Sequence, residues 1–210
     1  MDVAQTPSRS PRSTGGRFVF GLLVVLAVGV AGYAVVVSSL NKFPPPVGAN
    51  AAGLATLVLH ATSAAVALLI GPFQFLPRIR ARHRRLHRWM GRIYCLACLV
   101  GGVAGAALAW GTTSGPVARY GFGGLAILWL ACTSLAWASA VSADFAKHRM
   151  WMIRSFALTL AAVTLRIYLP LSMVAGIPFE TAYPIIAWIA WVPNLAMAEW
   201  WLRRTPRIRA

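Results

Sequence analysis

Residues 18–40 read FVFGLLVVLAVGVAGYAVVVSSL, 23 positions without a charge. A helix of that length reaches about 35 Å, enough to cross the hydrocarbon core of a bilayer. Five further apolar segments follow at 51–76, 89–110, 119–141, 150–172 and 183–202. Turn residues, charges or both separate them, and no internal repeat is evident. Only 11% of the 210 residues are charged and 59% are hydrophobic, against about 25% charged in soluble domains. So little polar residue cannot cover a globule in water. The expectation is an all-α fold, a polytopic transmembrane bundle of six helices over 18–203. A disordered basic lead over 1–17 precedes it, and a basic tail over 204–210 follows. A cleaved signal peptide is the rival reading of the first segment, with Ala49-Asn50-Ala51 as a weak cleavage pattern. Its apolar run is too long for that role.

The formal charge of +16 would point to nucleic acid in a soluble protein. Here the basic residues follow the alternation of six spans. On the amino-terminal side stand Arg9, Arg12 and Arg17, then seven arginines in RIRARHRRLHRWMGR at 78–92. Lys147, Arg149 and Arg154 follow, then Arg203, Arg204, Arg207 and Arg209. The opposite side holds Lys42 and Arg119, with Arg166 inside the fifth segment. Seventeen against two places both termini in the cytoplasm of a plasma (inner) membrane by the positive-inside rule. The 78–92 stretch becomes a headgroup-level loop whose partner is anionic lipid and not nucleic acid.

Ionisable residues at depth are costly unless they face the bundle interior, so they mark candidate sites. At 100° per residue His60 shares a face with Thr56, Ala67, Gly71 and Gln74. His87 does so with Gly91, Tyr94, Cys98, Gly101 and Gly105, and His148 with Ser155, Thr159 and Arg166. The glycines are assigned to helix packing, Gly101 and Gly105 being a small-xxx-small pair. Glu199, the one acid within a span, stands at the depth of Arg154, and an ion pair is expected between them. The three cysteines all sit in apolar segments, and Cys95 and Cys98 are counted as packing residues.

Three chemistries could use these histidines. A divalent metal on His83, His87 and His148 is the weakest, because arginines crowd the first pair and no carboxylate helps. Haem b fits the charge better: His87 and His148 could ligate the iron, and Arg92 and Arg154 could pair with the propionates. A quinone or an anionic lipid is the third option, with His60 and Arg166 as an outer polar pocket. Tyr94 joins the candidate contacts in either case. The residues leave haem b and quinone open. No phosphate-binding glycine loop, H-E-x-x-H or G-x-S-x-G occurs.

The stretches HATSAAVALLIGPFQFLPRIR, HRWMGRIY and HRMWMIRSFALTLAAVTLR resemble the bacterial predicted-membrane-protein family known as domain of unknown function 2306. The likeness covers about residues 50 to 170, with His60, Gly71, Gln74, His87, Gly91, Arg92, Tyr94, His148, Trp151, Met152, Arg154, Ser155 and Arg166 as its matching positions. It implies that His60, His87, His148, Arg154 and Arg166 form a site, and it carries no mechanism. The expected function is cofactor binding for electron transfer or respiratory-complex assembly, with a respiratory complex or a second copy of the chain as partner. The competing class is a membrane scaffold or small permease whose histidines only join helices.

Overall fold

The computed structural model describes residues 14–43 and 45–205. The basic lead before residue 14 and the tail after 205 lie outside the described residues. Those described form ten helices: α1 (Thr14–Ser39), α2 (Pro45–Gly48), α3 (Gly53–Gln74), α4 (Pro77–Arg82), α5 (Arg84–Trp110), α6 (Gly115–Val141), α7 (Phe145–Thr159), α8 (Ala161–Val174), α9 (Phe179–Ile189) and α10 (Val192–Arg204). Six spans are long and apolar enough to cross a membrane. Four are α1, α3, α5 and α6; the fifth is α7 with α8, and the sixth is α9 with α10.

The arginine stretch differs from its expectation as a loop. It folds as α4 and the start of α5, broken only at His83, which caps both. Arginine and leucine are good helix formers, and the seven arginines of the stretch are exposed, so a helix here buries none of them. The third span therefore begins at Arg84 and not at 89, so His87 and Arg88 are helical. The first helix likewise begins at Thr14, inside the expected lead. The fifth span starts at Phe145, before the expected 150, because Asp144 caps it by accepting the Lys147 backbone N–H at 3.0 Å. The Lys147 side chain donates a further hydrogen bond, which holds the Asp144 carboxyl below its ordinary range.

Two breaks fall in spans that hydropathy shows as continuous. The fifth is interrupted at Leu160, the sixth at Ala190 and Trp191. Pro193 stands in the first turn of α10, where its missing N–H costs least. A carbonyl released inside a bilayer must find a donor within the protein. The Ala190 carbonyl takes the Thr164 hydroxyl from the first turn of α8 and the Asn194 amide, the latter at 3.0 Å. The two breaks thus lie against each other.

Helices α3, α5, α6 and α7 form a ring in that order, closed by contact between α7 and α3. In this ring α5 and α7 stand opposite each other, each packed on α6. The first helix lies outside. Ala27, Ala31 and Ala34 give it a smooth stripe, which packs on Ala65 and Leu68 of α3 and Val163 of α8. Helix α9 lies on α6 and α8, and α10 on α7. Gly71 leaves no room for a Cβ, because the Phe156 ring lies on it and ties α3 to α7.

Candidate functional site

The centre of the ring is polar and fully used. Tyr94 of α5 is buried and reaches across to α7, where its hydroxyl lies 3.0 Å from Ser155 Oγ and 2.9 Å from Thr159 Oγ1. Donor capacity settles every hydrogen in this cluster. The Thr159 hydroxyl donates to the Ser155 carbonyl at 2.9 Å, because a carbonyl only accepts. Its oxygen accepts the Trp129 indole N–H at 3.0 Å. Tyr94 must then donate to Thr159, and Ser155 must donate to Tyr94. Thr133 donates in turn to Ser155, at 2.8 Å. One directed chain thus joins α6, α5 and α7, and no hydroxyl in it has a hydrogen to spare.

This layer separates two cavities. The larger, about 860 Å³, opens at the end carrying the arginine stretch. His87 from α5 and His148 from α7 both line it, with Arg80, Arg84, Arg88, Arg92 and Arg149 around them. No Asp or Glu lines it among the described residues. The His148 Nδ1–H donates to the Ala136 carbonyl at 2.9 Å, which fixes the tautomer and leaves Nε2 with its lone pair. Two buried polar atoms of this cavity have no protein partner, His87 Nδ1 and Gln74 Nε2. Buried polar groups left without partners mark a place for a ligand or ordered water.

The second cavity, about 260 Å³, lies towards the opposite end and is lined by His60 and Arg166. His60 seats its ring edge in the groove of the third span. Nδ1–H donates to the Gly101 carbonyl at 2.8 Å, and a Cβ at Gly105 would stand 3.0 Å from the ring. Gly105 therefore makes room for an imidazole, a purpose beyond the helix packing expected of it, while Gly101 lies against Ser63 and Trp129.

Of the seven predicted site residues, the structure brings His87, His148 and Arg92 to one cavity and His60 and Arg166 to the other. Tyr94 and Arg154 line neither. Tyr94 is spent in the dividing layer. Arg154 is engaged by Glu199, with Nε on one carboxylate oxygen and Nη2 on the other at 3.1 Å, and its guanidinium stacks 4.6 Å from the Trp151 ring. The expected ion pair thus takes the arginine expected to hold propionate. His83 is exposed at the α4–α5 junction, away from both cavities. Among the described residues no three His, Cys, Asp or Glu converge to hold a metal ion. Sequence reasoning missed Trp129 and Thr133, because single polar atoms in an otherwise apolar helix give no face to read. It also left Gln74 out of the site, though the residue sat on the His60 face.

A family model described as "Predicted membrane protein (DUF2306)" matches residues 57–202. The chain belongs to this family. The DUF2306 region runs from α3 into α10 and holds the dividing layer and both histidine sites, whereas α1 and α2 lie outside it. No curated protein and no solved structure matches the chain.

Tyr94→Phe leaves the Ser155 hydroxyl without its acceptor and Thr159 without one donor. The expected cost is about 1–3 kcal/mol, that of unsatisfied buried polar groups. It is measured as a lower midpoint of unfolding by dodecyl sulfate in mixed micelles. An unchanged midpoint would show that the layer does not hold α5 to α7.

Proposed function

We propose that this membrane protein binds haem b in the arginine-rimmed cavity and serves electron transfer, or the assembly of a respiratory complex, in the bacterial inner membrane. The observation that carries the reading is the pair His87 and His148, which come from opposite helices of the ring to line one cavity. At about 860 Å³ the cavity lies within the range of cofactor sites. When bound, haem b supplies one-electron transfer at its iron.

The protein's part is to bind and orient. The Ala136 carbonyl holds the His148 ring by Nδ1, the outer-shell hydrogen bond that keeps a ligating imidazole in one tautomer. His87 would supply the second nitrogen ligand. The arginines of α4, α5 and α7 supply cationic donors for two carboxylates, and Arg92 of this group is steadied 5.1 Å from the Trp89 ring. A neutral ligand such as a quinone would make no use of their charge. The dividing layer closes the far wall, with Met152 and Cys95 as apolar lining next to it.

A dithionite-reduced minus oxidised spectrum of protein purified from its native membrane tests this reading. Soret, α and β bands are expected, lost in His87→Ala and in His148→Ala and retained in His60→Ala. Colourless folded protein, or bands that survive both substitutions, would assign the histidines to a scaffold.

The same reading sets the orientation. The basic ends face the cytoplasm, where anionic headgroups meet the α4–α5 arginines. Carboxy-terminal fusions to green fluorescent protein should fluoresce, and fusions to alkaline phosphatase should be inactive. Active phosphatase would invert the topology.

A further inference from the structure

The second cavity has a composition of its own. Its walls are apolar, with the aromatic rings of Tyr33, Phe43, Phe122, Trp129 and Tyr183 among them. Two polar groups interrupt that lining. His60 donates by Nδ1 to Gly101, so Nε2 carries a lone pair, and no hydrogen bond among the described residues uses it. Arg166 donates by Nη1 to the Ala162 carbonyl of its own helix at 3.1 Å. Its Nε–H is buried and has no partner among the described residues. The guanidinium also lies 5.6 Å from the Tyr33 ring, and no Asp or Glu lines the cavity among the described residues.

An unpartnered donor and an unpartnered acceptor thus line one apolar, aromatic-walled space. The group that answers both is a hydroxyl whose oxygen accepts from Arg166 and whose hydrogen goes to His60. A carboxylate would satisfy the arginine and be repelled by the imidazole lone pair. A divalent cation would be repelled by the arginine, and an alkyl chain would satisfy neither. An apolar cavity of roughly 150 Å³ holds a benzene ring, so about 260 Å³ takes one substituted ring. Aromatic walls favour a planar occupant. Tyr33, half exposed on the peripheral helix α1, stands where the cavity meets lipid.

We propose that the cavity between His60 and Arg166 binds a lipid-soluble hydroquinone, its ring among the aromatic side chains and one hydroxyl held between the imidazole and the guanidinium. This site is separate from the His87–His148 cavity and does not depend on haem being bound there.

The experiment is equilibrium binding of a tritiated short-chain benzoquinol, kept reduced, to the full chain in lipid nanodiscs, with empty nanodiscs subtracted. One saturable site is expected in the wild type. His60→Gln and Arg166→Gln should each weaken it about tenfold, the size of one lost hydrogen bond to a charged or buried group. His83→Ala, at an exposed residue that lines neither cavity, should leave it unchanged. No saturable binding, or unchanged affinity in both folded glutamine variants, would overturn the proposal. So would displacement by decanoate as effective as by unlabelled quinol, which would make the site one for carboxylates. Should a glutamine variant fail to fold, a photoreactive azidobenzoquinol on wild-type protein decides. Labelling of the α3 peptide holding His60 or the α8 peptide holding Arg166 supports the site; labelling confined to other helices overturns it.

Discussion

In hydrocarbon no water satisfies a stray hydroxyl, so a polar layer at the middle of a bundle must close on itself. Tyr94 is the residue around which this one closes. Its hydroxyl takes a hydrogen from Ser155 and gives one to Thr159, while Thr133 and Trp129 complete the chain from α6. Tyrosine is long enough to join two helices that do not pack directly on each other. The distance it spans between α5 and α7 is also the space that the cavities occupy above and below it. Without that layer the helices could collapse together, or the two cavities could merge into one water-accessible path.

Charge is handled by the same rule at each depth. Near the arginine-rich end the arginine side chains are exposed, and α4 and α5 carry them in helical form. One turn deeper, Arg154 is paired with Glu199 and stacked on Trp151. Breaking such a pair strands a charge in low dielectric, whereas the intact pair adds little stability. Arg166, nearer the opposite end, has only a carbonyl of its own helix and the Tyr33 ring. That contrast is what separates a structural arginine from one that lines a site.

The six spans are readable from hydropathy, because a bilayer imposes a length on each apolar run. The histidine faces are readable for a related reason: an ionisable residue in an apolar run must point inward. The Arg154–Glu199 pair followed from depth alone. What the sequence hides is any relation between helices. Nothing in its pattern tells that Gly105 receives an imidazole and not a backbone, since both uses need the same absent side chain. Nor does it tell that Tyr94, on the same face as His87, is consumed by the hydroxyls of Ser155 and Thr159 on α7. The breaks at Leu160 and at Ala190–Trp191 were invisible for another reason. Hydropathy averages over a window, and side chains of Thr164 and Asn194 supply the donors that a continuous helix would have provided.

His87 and His148 line one cavity, and the proposed haem b would join them there. A density map of the protein taken from its native membrane, at a resolution that shows side chains, tests it directly. The expected result is a planar density in the arginine-rimmed cavity, joined to both imidazoles, with two carboxylates among the arginines and an unbroken Tyr94 layer behind it. Lipid or water in that cavity, with both imidazoles bonded only to protein, would contradict it.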